Sequence, residues 1–433
     1  MSGLKTKAWR LLKPLTNAGL RGLSLSGRFV LTLYIAKYMD IRSVGDFGLI
    51  SGATVIGPAL LGMGFNFYLN REIAGTPPEF HVRLIRDRLT ISVVSAICAA
   101  FTIMLLCIPF APQIPWLTRI LFGLIFIMEV AAFDLHMSLV TLNRPVLANL
   151  LQFTRSALWV FPYTAGAVVF PSCRTMDALL VAWLIGLVLN LGITYFGLRD
   201  WPWAQVAAHK FDSRWFSDRI RRTWFVYMGD IALITIQQLD RVAVAAVLGM
   251  TATGIYVFYN SFANAVQLLT AAAVLQMTLP GLLGQAKHGD GPSWRRILMQ
   301  GAAKSAVVSI VISAIAFPVI GIIVTYLNRQ ELNDHRLLFL AMLVAVPLRS
   351  IAELLGSGLY TIKQDRAFVW SNIIGAVAST ALITSASALW GMTGTGCAVI
   401  ASGLVVLLLR LYLLVRGYAG SFAGRLPAVE QAA

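Results

Sequence analysis

Three arginines, Arg28, Arg155 and Arg349, lie inside long apolar stretches of the sequence. A charge within a membrane span costs about 2.5–3.5 kcal/mol on insertion scales, so it normally faces water or a partner. The planar guanidinium of arginine binds phosphate and carboxylate groups through paired hydrogen bonds. We therefore expect a basic, water-filled cavity that suits an anionic, phosphate-bearing ligand. Arg155 stands close to the inner end of its stretch, and both Arg155 and Arg28 could instead reach the lipid headgroups.

Four acidic residues also fall within apolar stretches. They are Glu129 and Asp134 in the fourth stretch, Asp230 in the seventh and Glu353 in the tenth. Such groups could carry a coupling proton or cation. The alternative is a structural role, in which the carboxylates of the fourth stretch are buried partners for Arg28 or Arg155. Arg349 precedes Glu353 by four residues, a spacing that lets them pair on one helix face.

A polar stripe marks the eighth apolar stretch. Asn260, Asn264 and Gln267 are spaced at i, i+4 and i+7, which places their side chains on one face of a helix. Amide side chains suit sugar hydroxyls, so this face is expected to line the interior. Together with Arg71, at the end of the second stretch, these three residues complete the set of candidate cavity residues.

The composition identifies an integral membrane protein. Of 433 residues, 58% are hydrophobic and only 12% are charged, whereas soluble domains carry about 25% charged residues. The net charge of +16 could suggest nucleic acid as a partner. In a membrane protein, an excess of cytoplasmic lysine and arginine explains the same charge, so no nucleic-acid partner is predicted.

Twelve apolar stretches are each long enough to cross a bilayer. They cover approximately 17–38, 47–70, 89–109, 117–140, 150–170, 178–198, 223–247, 254–281, 300–325, 337–360, 367–389 and 394–414. With the N-terminus inside, the inner segments hold 22 lysines and arginines and the outer segments hold six. The sequence therefore predicts an all-α polytopic fold of 12 transmembrane helices with both termini in the cytoplasm.

The order of these stretches predicts two six-helix halves. An amphipathic N-terminus (1–16) precedes the first half (17–198), a basic, aromatic linker (199–222) lies on the inner leaflet, and the second half (223–414) leads into a cytoplasmic tail (415–433). The second stretch is rich in glycine, contains Pro58 and follows a charged turn at 42–46. We expect a bent, closely packed helix there.

The sequence offers no recognisable catalytic or metal-binding constellation. GxxxxGK[ST], HExxH, GxSxG and DxD motifs are absent, and the predicted outer loops are too short to carry an outer-face enzyme. The four cysteines show no CxxC spacing or disulfide framework. A carrier without cofactor or metal is therefore favoured over an enzyme.

Two segments resemble paired motifs of the Wzx-type polysaccharide flippases, within the MOP superfamily that also contains MATE transporters. The first segment is VGDFGLISGATVIGPALLGMGFNFYLNREIA, and the second is QLDRVAVAAVLGMTATGIYVFYNSFANAVQLL. Each resembles a "G–Y" type turn that opens a helix, and the second also carries the Asp of the seventh helix. The motif positions in this chain are Gly48, Gly64, Arg71, Asp240, Gly254 and Tyr256.

This resemblance implies a flippase of the bacterial inner membrane that moves an undecaprenyl-pyrophosphate-linked oligosaccharide for O-antigen, capsule or exopolysaccharide assembly. The implied mechanism is gradient-driven alternating access, with membrane lipids, the lipid-linked oligosaccharide and polysaccharide polymerase or chain-length proteins as partners. Two alternatives stay open: a MATE-like multidrug or metabolite exporter, and a membrane-bound polysaccharide polymerase or ligase. The excess of arginine in the spans argues against the exporter, and the short outer loops argue against the polymerase.

Overall fold

A computed structural model describes residues 19–62, 78–199 and 213–422, with gaps at positions 21, 25, 111 and 143. This part of the chain is helical and contains no strand. Nine of the described helices are long and apolar enough to cross a membrane. Many large apolar side chains on these helices are exposed, as expected for surfaces that contact lipid. The chain is a multi-pass membrane protein.

We number the long helices α1–α12 in chain order. α1 covers 26–38, followed by α2 (Ile41–Leu61), α3 (Pro78–Phe110), α4 (Trp116–Thr141), α5 (Pro145–Phe153, Thr154–Leu158 and Val160–Val169), α6 (Met176–Gly197), α7 (Ser213–Leu248), α8 (Met250–Thr270, Ala271–Leu275 and Gln276–His288), α9 (Gly291–Leu327), α10 (Arg336–Thr361), α11 (365–390) and α12 (392–422). A short helix, Gln330–Asn333, lies between α9 and α10.

Three interruptions shape these helices. The middle segments of α5 and α8 are single π-helical turns, which often occur at functional sites because they shift the direction of the side chains that follow. The stretch Asp365–Phe422 is continuous except at Gly391, whose φ of 59° and ψ of −142° are not helical. Glycine adopts this positive φ without a Cβ penalty, and the residue therefore separates α11 from α12.

The helices form two compact units. Unit 1 comprises Met1–Asp40 and Ile50–Tyr227, and unit 2 comprises Ile41–Leu49 and Met228–Ala433. The first nine residues of α2 thus belong to unit 2, and the rest of that helix belongs to unit 1.

Each unit has its own apolar core. In unit 1, Ala96 and Ala100 of α3 pack against Phe126 and Val130 of α4. In unit 2, a larger cluster joins α8, α9, α10 and α12 around the fully buried Trp294. The indole of Trp294 donates a hydrogen bond to Thr361 at 3.1 Å. These cores hold the helices that carry the charged residues.

Two local predictions are wrong. The predicted turn at 42–46 is helical, because α2 already begins at Ile41. Arg88, assigned from sequence to an inner loop, lies inside α3 and is only 2% exposed. At Arg88 the charged residue belongs to the helix because Asp134 accepts it.

Candidate functional site

Within unit 2, the first turn of α2 packs against the first turn of α8. A Cβ atom added to Gly45 would lie 2.5 Å from the carbonyl oxygen of Met250, and one added to Gly254 would overlap the carbonyl oxygen of Ile41. Both glycines are therefore needed for close approach of two helix backbones. The start of the first motif segment thus lies against the helix start in the second one.

A buried hydrogen-bond network continues from this contact. The Tyr256 hydroxyl of α8 donates to Asp240 Oδ2 of α7 at 2.5 Å, and the backbone N–H of Arg241 donates to Asp240 Oδ1 at 2.7 Å. Arg241 Nη1 in turn donates to the carbonyl oxygen of Gly48 at 3.0 Å. Asp240 is 5% exposed and Tyr256 is 0% exposed, so the carboxylate depends on these donors. Four of the motif positions, Gly48, Asp240, Gly254 and Tyr256, therefore belong to one packed assembly.

Arg349 of α10 stands beside this network without a bonded partner. It is half-buried and forms no hydrogen bond or ion pair with any residue that the structure describes. α10 packs against α8, and the Arg349 side chain lies beside Gly403 of α12, where an added Cβ would be 3.7 Å from Arg349 Cγ. A half-buried, unsatisfied arginine in the middle of a membrane helix is an available anion-binding group.

The expected pair of Arg349 and Glu353 does not form. Glu353 instead accepts a hydrogen bond from Gln267 Nε2 of α8 at 3.3 Å. The i, i+4 spacing permits contact along one helix, but the neighbouring helix α8 offers Glu353 a hydrogen-bond donor instead.

Arg410 anchors a second polar cluster in unit 2. Its guanidinium donates to the carbonyl oxygen of Ala352 at 2.8 Å and to Asn372 Oδ1 at 2.7 Å, and it lies over the ring of Phe368. Arg410 is 5% exposed. The sequence marks it only as one more basic residue in a span, and nothing in its spacing indicates that Asn372 is its partner.

The three residues of the polar stripe on α8 differ in how deeply they are buried. Asn260 is buried, whereas Asn264 and Gln267 are half-buried. Gln267 is occupied by Glu353, but Asn260 and Asn264 make no side-chain hydrogen bond with the described part of the chain. Amides without a protein partner remain available to a polar ligand or to water.

In unit 1, the fourth and fifth helices form a buried ion pair. Arg155 Nη1 lies 3.5 Å from Glu129 Oε2, and Arg155 Nη2 donates to Gln152 at 3.0 Å. Trp183 of α6 donates to the other oxygen of Glu129 at 2.9 Å. Arg155 lies on the π-helical turn of α5. One of the two structural alternatives for Glu129 is thereby confirmed: it is a buried partner of Arg155.

The second carboxylate of α4 has a different partner from either one expected. Asp134 pairs with Arg88 of α3, and each side chain is 2% exposed. The partner was missed because sequence reasoning placed Arg88 in a loop. Both acidic residues of α4 are therefore ion-paired in this conformation.

The remaining candidates are dispersed. Arg28 is exposed on α1, and Asp230 is exposed on α7 on the same face as Gln237. Exposed polar groups seven residues apart on a membrane helix indicate a face that meets water or a ligand rather than lipid tails. Gly64 and Arg71 lie outside the described residues.

No protein-family model and no curated protein matches the chain. Its architecture nevertheless matches solved transporters. The inward closed conformation of the lipid II flippase MurJ matches with a TM-score of 0.68 and 13% identity, covering 95% of this chain and 90% of that chain. The chain has the fold of MOP superfamily transporters.

Two further structures support this assignment of the fold. A multidrug resistance MATE family transporter in its inward-facing conformation matches with a TM-score of 0.63 and 10% identity, over 93% of this chain and 96% of that one. A MOP superfamily transporter from Pyrococcus furiosus, described by the reverse polarity of its binding pocket, matches with a TM-score of 0.57 and 12% identity, over 93% and 96%. These identities show a common fold and leave the cargo to be argued from the residues.

Proposed function

We propose that the protein is a flippase that moves an undecaprenyl-pyrophosphate-linked oligosaccharide across the bacterial inner membrane. The proposal rests on Arg349, which is half-buried in the middle of α10 and has no bonded partner in the described part of the chain. Such a group favours a cargo that brings its own negative charge. A pyrophosphate joined to a glycan and a prenyl tail meets that requirement inside a membrane.

The pyrophosphate is assigned first to Arg349, and Arg28 and Arg71 are the alternative candidates from the sequence. Arg155 already pairs with Glu129 and donates a hydrogen bond to Gln152, so it would have to leave these partners before it could bind phosphate. We assign the glycan hydroxyls to the half-buried amide of Asn264, and the buried Asn260 lies on the same helix face. The prenyl tail stays in the surrounding lipid.

The proposed mechanism is alternating access of two six-helix halves, 17–198 and 223–414, within 12 membrane crossings and with both termini in the cytoplasm. An ion gradient drives the cycle. Asp230 is the preferred coupling group because it is exposed on α7, and Glu353 follows because its bond to Gln267 is long at 3.3 Å. Glu129 and Asp134 would first have to lose arginine partners.

Replacing the arginines in cells tests this function. We expect Arg349→Ala to reduce surface polysaccharide and to cause lipid-linked precursor to accumulate, at an unchanged level of the protein. Arg349→Lys should retain part of the output because it keeps the charge. Lys304→Ala is the matched control, since Lys304 is an exposed cation on the adjacent helix α9. If Arg349→Ala and Arg28→Ala both give wild-type amounts of surface polysaccharide, the assignment of the phosphate to these arginines is wrong.

The second candidate is a MATE-like multidrug or metabolite exporter, and the fold shared with a MATE family transporter favours keeping it. A cationic drug requires an acidic site, for which the exposed Asp230 is the available group. The same strains separate the two functions. An exporter predicts greater drug sensitivity on loss of the protein with unchanged surface polysaccharide, and the flippase predicts the reverse.

A further inference from the structure

An open groove runs along the last three turns of α9 and ends at the start of α10. Its volume is about 630 Å³, within the range of small-molecule sites. It is lined mainly by apolar side chains and has a single charged one. The lining includes Phe317, Pro318, Ile322, Thr325, Tyr326 and Arg336. This groove lies entirely within unit 2 and is separate from the polar networks around Asp240 and Arg410.

The groove wall belongs to the lipid-facing surface of α9. Ile322 is 72% exposed and Tyr326 is 70% exposed. Because both side chains lie on a membrane-crossing helix, lipid covers them. Tyr326 is also the penultimate residue of α9, which ends at Leu327 with the left-handed Asn328 as its C-cap. Tyrosine near a helix end is typical of the headgroup level, so the groove runs from that level into the hydrocarbon.

Arg336 extends from the start of α10 into the groove beside Gly321 and has unused hydrogen-bonding capacity. Its Nη2 reaches the carbonyl oxygen of Gly321 only at 3.5 Å, and its Nε is buried without a partner. No carboxylate of the described residues pairs with it. Arg336 is also the first residue of α10, a helix start without a side-chain cap. The first N–H groups of such a helix add to the positive potential.

We propose that this groove binds an anionic glycerophospholipid, with the phosphate on Arg336 and one acyl chain along Phe317 and Ile322. From Phe317 to Leu327 the helix rises about 15 Å, which is half of the hydrocarbon core of about 30 Å. The groove therefore accommodates a chain that ends at the bilayer midplane, as a glycerophospholipid chain does. A longer polyprenyl chain would extend beyond it. With both termini inside, this lipid belongs to the outer leaflet.

Native mass spectrometry of the purified full chain tests the headgroup preference. The protein is equilibrated with dioleoyl phosphatidylglycerol, dioleoyl phosphatidylcholine or undecaprenyl phosphate at equal concentrations. We expect one retained phosphatidylglycerol, bound about tenfold more tightly than phosphatidylcholine. Both lipids offer a phosphate to Arg336, but the choline ammonium of phosphatidylcholine offsets that charge, whereas phosphatidylglycerol stays net negative. Equal retention of the two glycerophospholipids would overturn the proposal, as would a loss of undecaprenyl phosphate in Arg336→Gln that exceeds the loss of phosphatidylglycerol.

Matched variants then locate the lipid. Arg336→Gln should abolish the preference for phosphatidylglycerol and Arg336→Lys should keep most of it. Arg295→Gln should leave it unchanged, because Arg295 is an exposed arginine near the start of α9, at the end of that helix opposite to the groove. A preference that survives in Arg336→Gln, or that is lost equally in Arg295→Gln, contradicts the site.

A groove-filling variant tests the position of the acyl chain without removing charge. A Cβ added to Gly321 would meet only the guanidinium of Arg336, at an ordinary 3.7 Å. Gly321→Val should therefore fold and should lower retention of both glycerophospholipids at least fivefold by occupying the groove, an effect that rests on the steric loss of apolar contact. Unchanged retention in folded Gly321→Val would also contradict the proposal.

Discussion

The α-carbon of Gly254 lies against the carbonyl oxygen of Ile41, which leaves no room for a side chain at that position. Gly45 makes the reciprocal contact with the carbonyl oxygen of Met250. The first turns of α2 and α8 are thereby held backbone to backbone within unit 2, and the first nine residues of α2 group with that unit. The buried Asp240–Tyr256 bond and the unpaired Arg349 lie beside this contact.

Gly254→Ala is expected to destabilise the protein by about 1–3 kcal/mol, because the added methyl group overlaps backbone and the helices must separate. The midpoint of thermal unfolding in detergent measures the effect. Gly284→Ala is the control, since a Cβ there meets nothing within 4 Å. That control should be neutral or stabilising by up to about 1 kcal/mol, as for alanine in a helix. Equal midpoints for the two variants would show that the close contact is absent.

Tyr256→Phe is expected to cost about 1–3 kcal/mol, because it leaves the buried Asp240 carboxylate without its hydroxyl donor. The ring and its packing are retained, so the loss reports the hydrogen bond. Tyr360→Phe, at an exposed tyrosine of α10, should be silent in the same thermal assay. If Asp240→Asn lost no more stability in the wild-type background than in Tyr256→Phe, the two residues would not be coupled.

The ion pair of Glu129 and Arg155 should behave as a structural unit. Removing either partner alone leaves a buried charge uncompensated and is expected to cost about 3–5 kcal/mol. The double variant Glu129→Leu with Arg155→Met should cost clearly less than the sum of the two single variants. A double-mutant cycle in thermal unfolding measures this coupling. Additive effects would mean that the two side chains do not interact.

The sequence predicts the membrane helices well because hydropathy is a local property of each stretch. Hydropathy does not show where α2 and α8 begin, at Ile41 and Met250. Arg42 and Gly45 are typical of a turn, yet α2 is already helical there. Gly45 is required by the approach of α8. Such a requirement depends on a helix about 200 residues away, and local patterns cannot express it.

The polar contacts likewise divide into those that the sequence predicts and those that only the packing of helices decides. One arginine partner of Glu129 could be named from sequence, because only a few arginines lie in the first half of the spans. Asp134 could not be matched with Arg88 from sequence, because Arg88 lies just outside the third apolar stretch. The spacing of Arg349 and Glu353 permitted a pair, but Gln267 takes the carboxylate from a neighbouring helix. Spacing along one helix gives possible contacts, and packing between helices decides among them.

Coupling to an ion gradient is expected to depend on Asp230 because it is exposed on α7 and has no arginine to release. In proteoliposomes, Asp230→Asn should lower the gradient-driven rate and leave the slow rate without a gradient unchanged. Asp218→Asn is the control, at an exposed acid near the start of the same helix. A full response to the gradient in Asp230→Asn would move the coupling role to Glu353.

The most direct test of the central claim is a translocation assay with the purified full chain in proteoliposomes that contain an undecaprenyl-pyrophosphate-linked oligosaccharide. A lectin that cannot cross the bilayer reports glycan as it reaches the opposite leaflet. We expect gradient-stimulated exposure of glycan by the wild type and a loss of about tenfold or more in Arg349→Ala. Arg349→Lys should be partly active and Lys304→Ala fully active. Wild-type rates in Arg349→Ala, or a wild-type protein that moves a cationic dye but no lipid-linked glycan, would contradict the central claim.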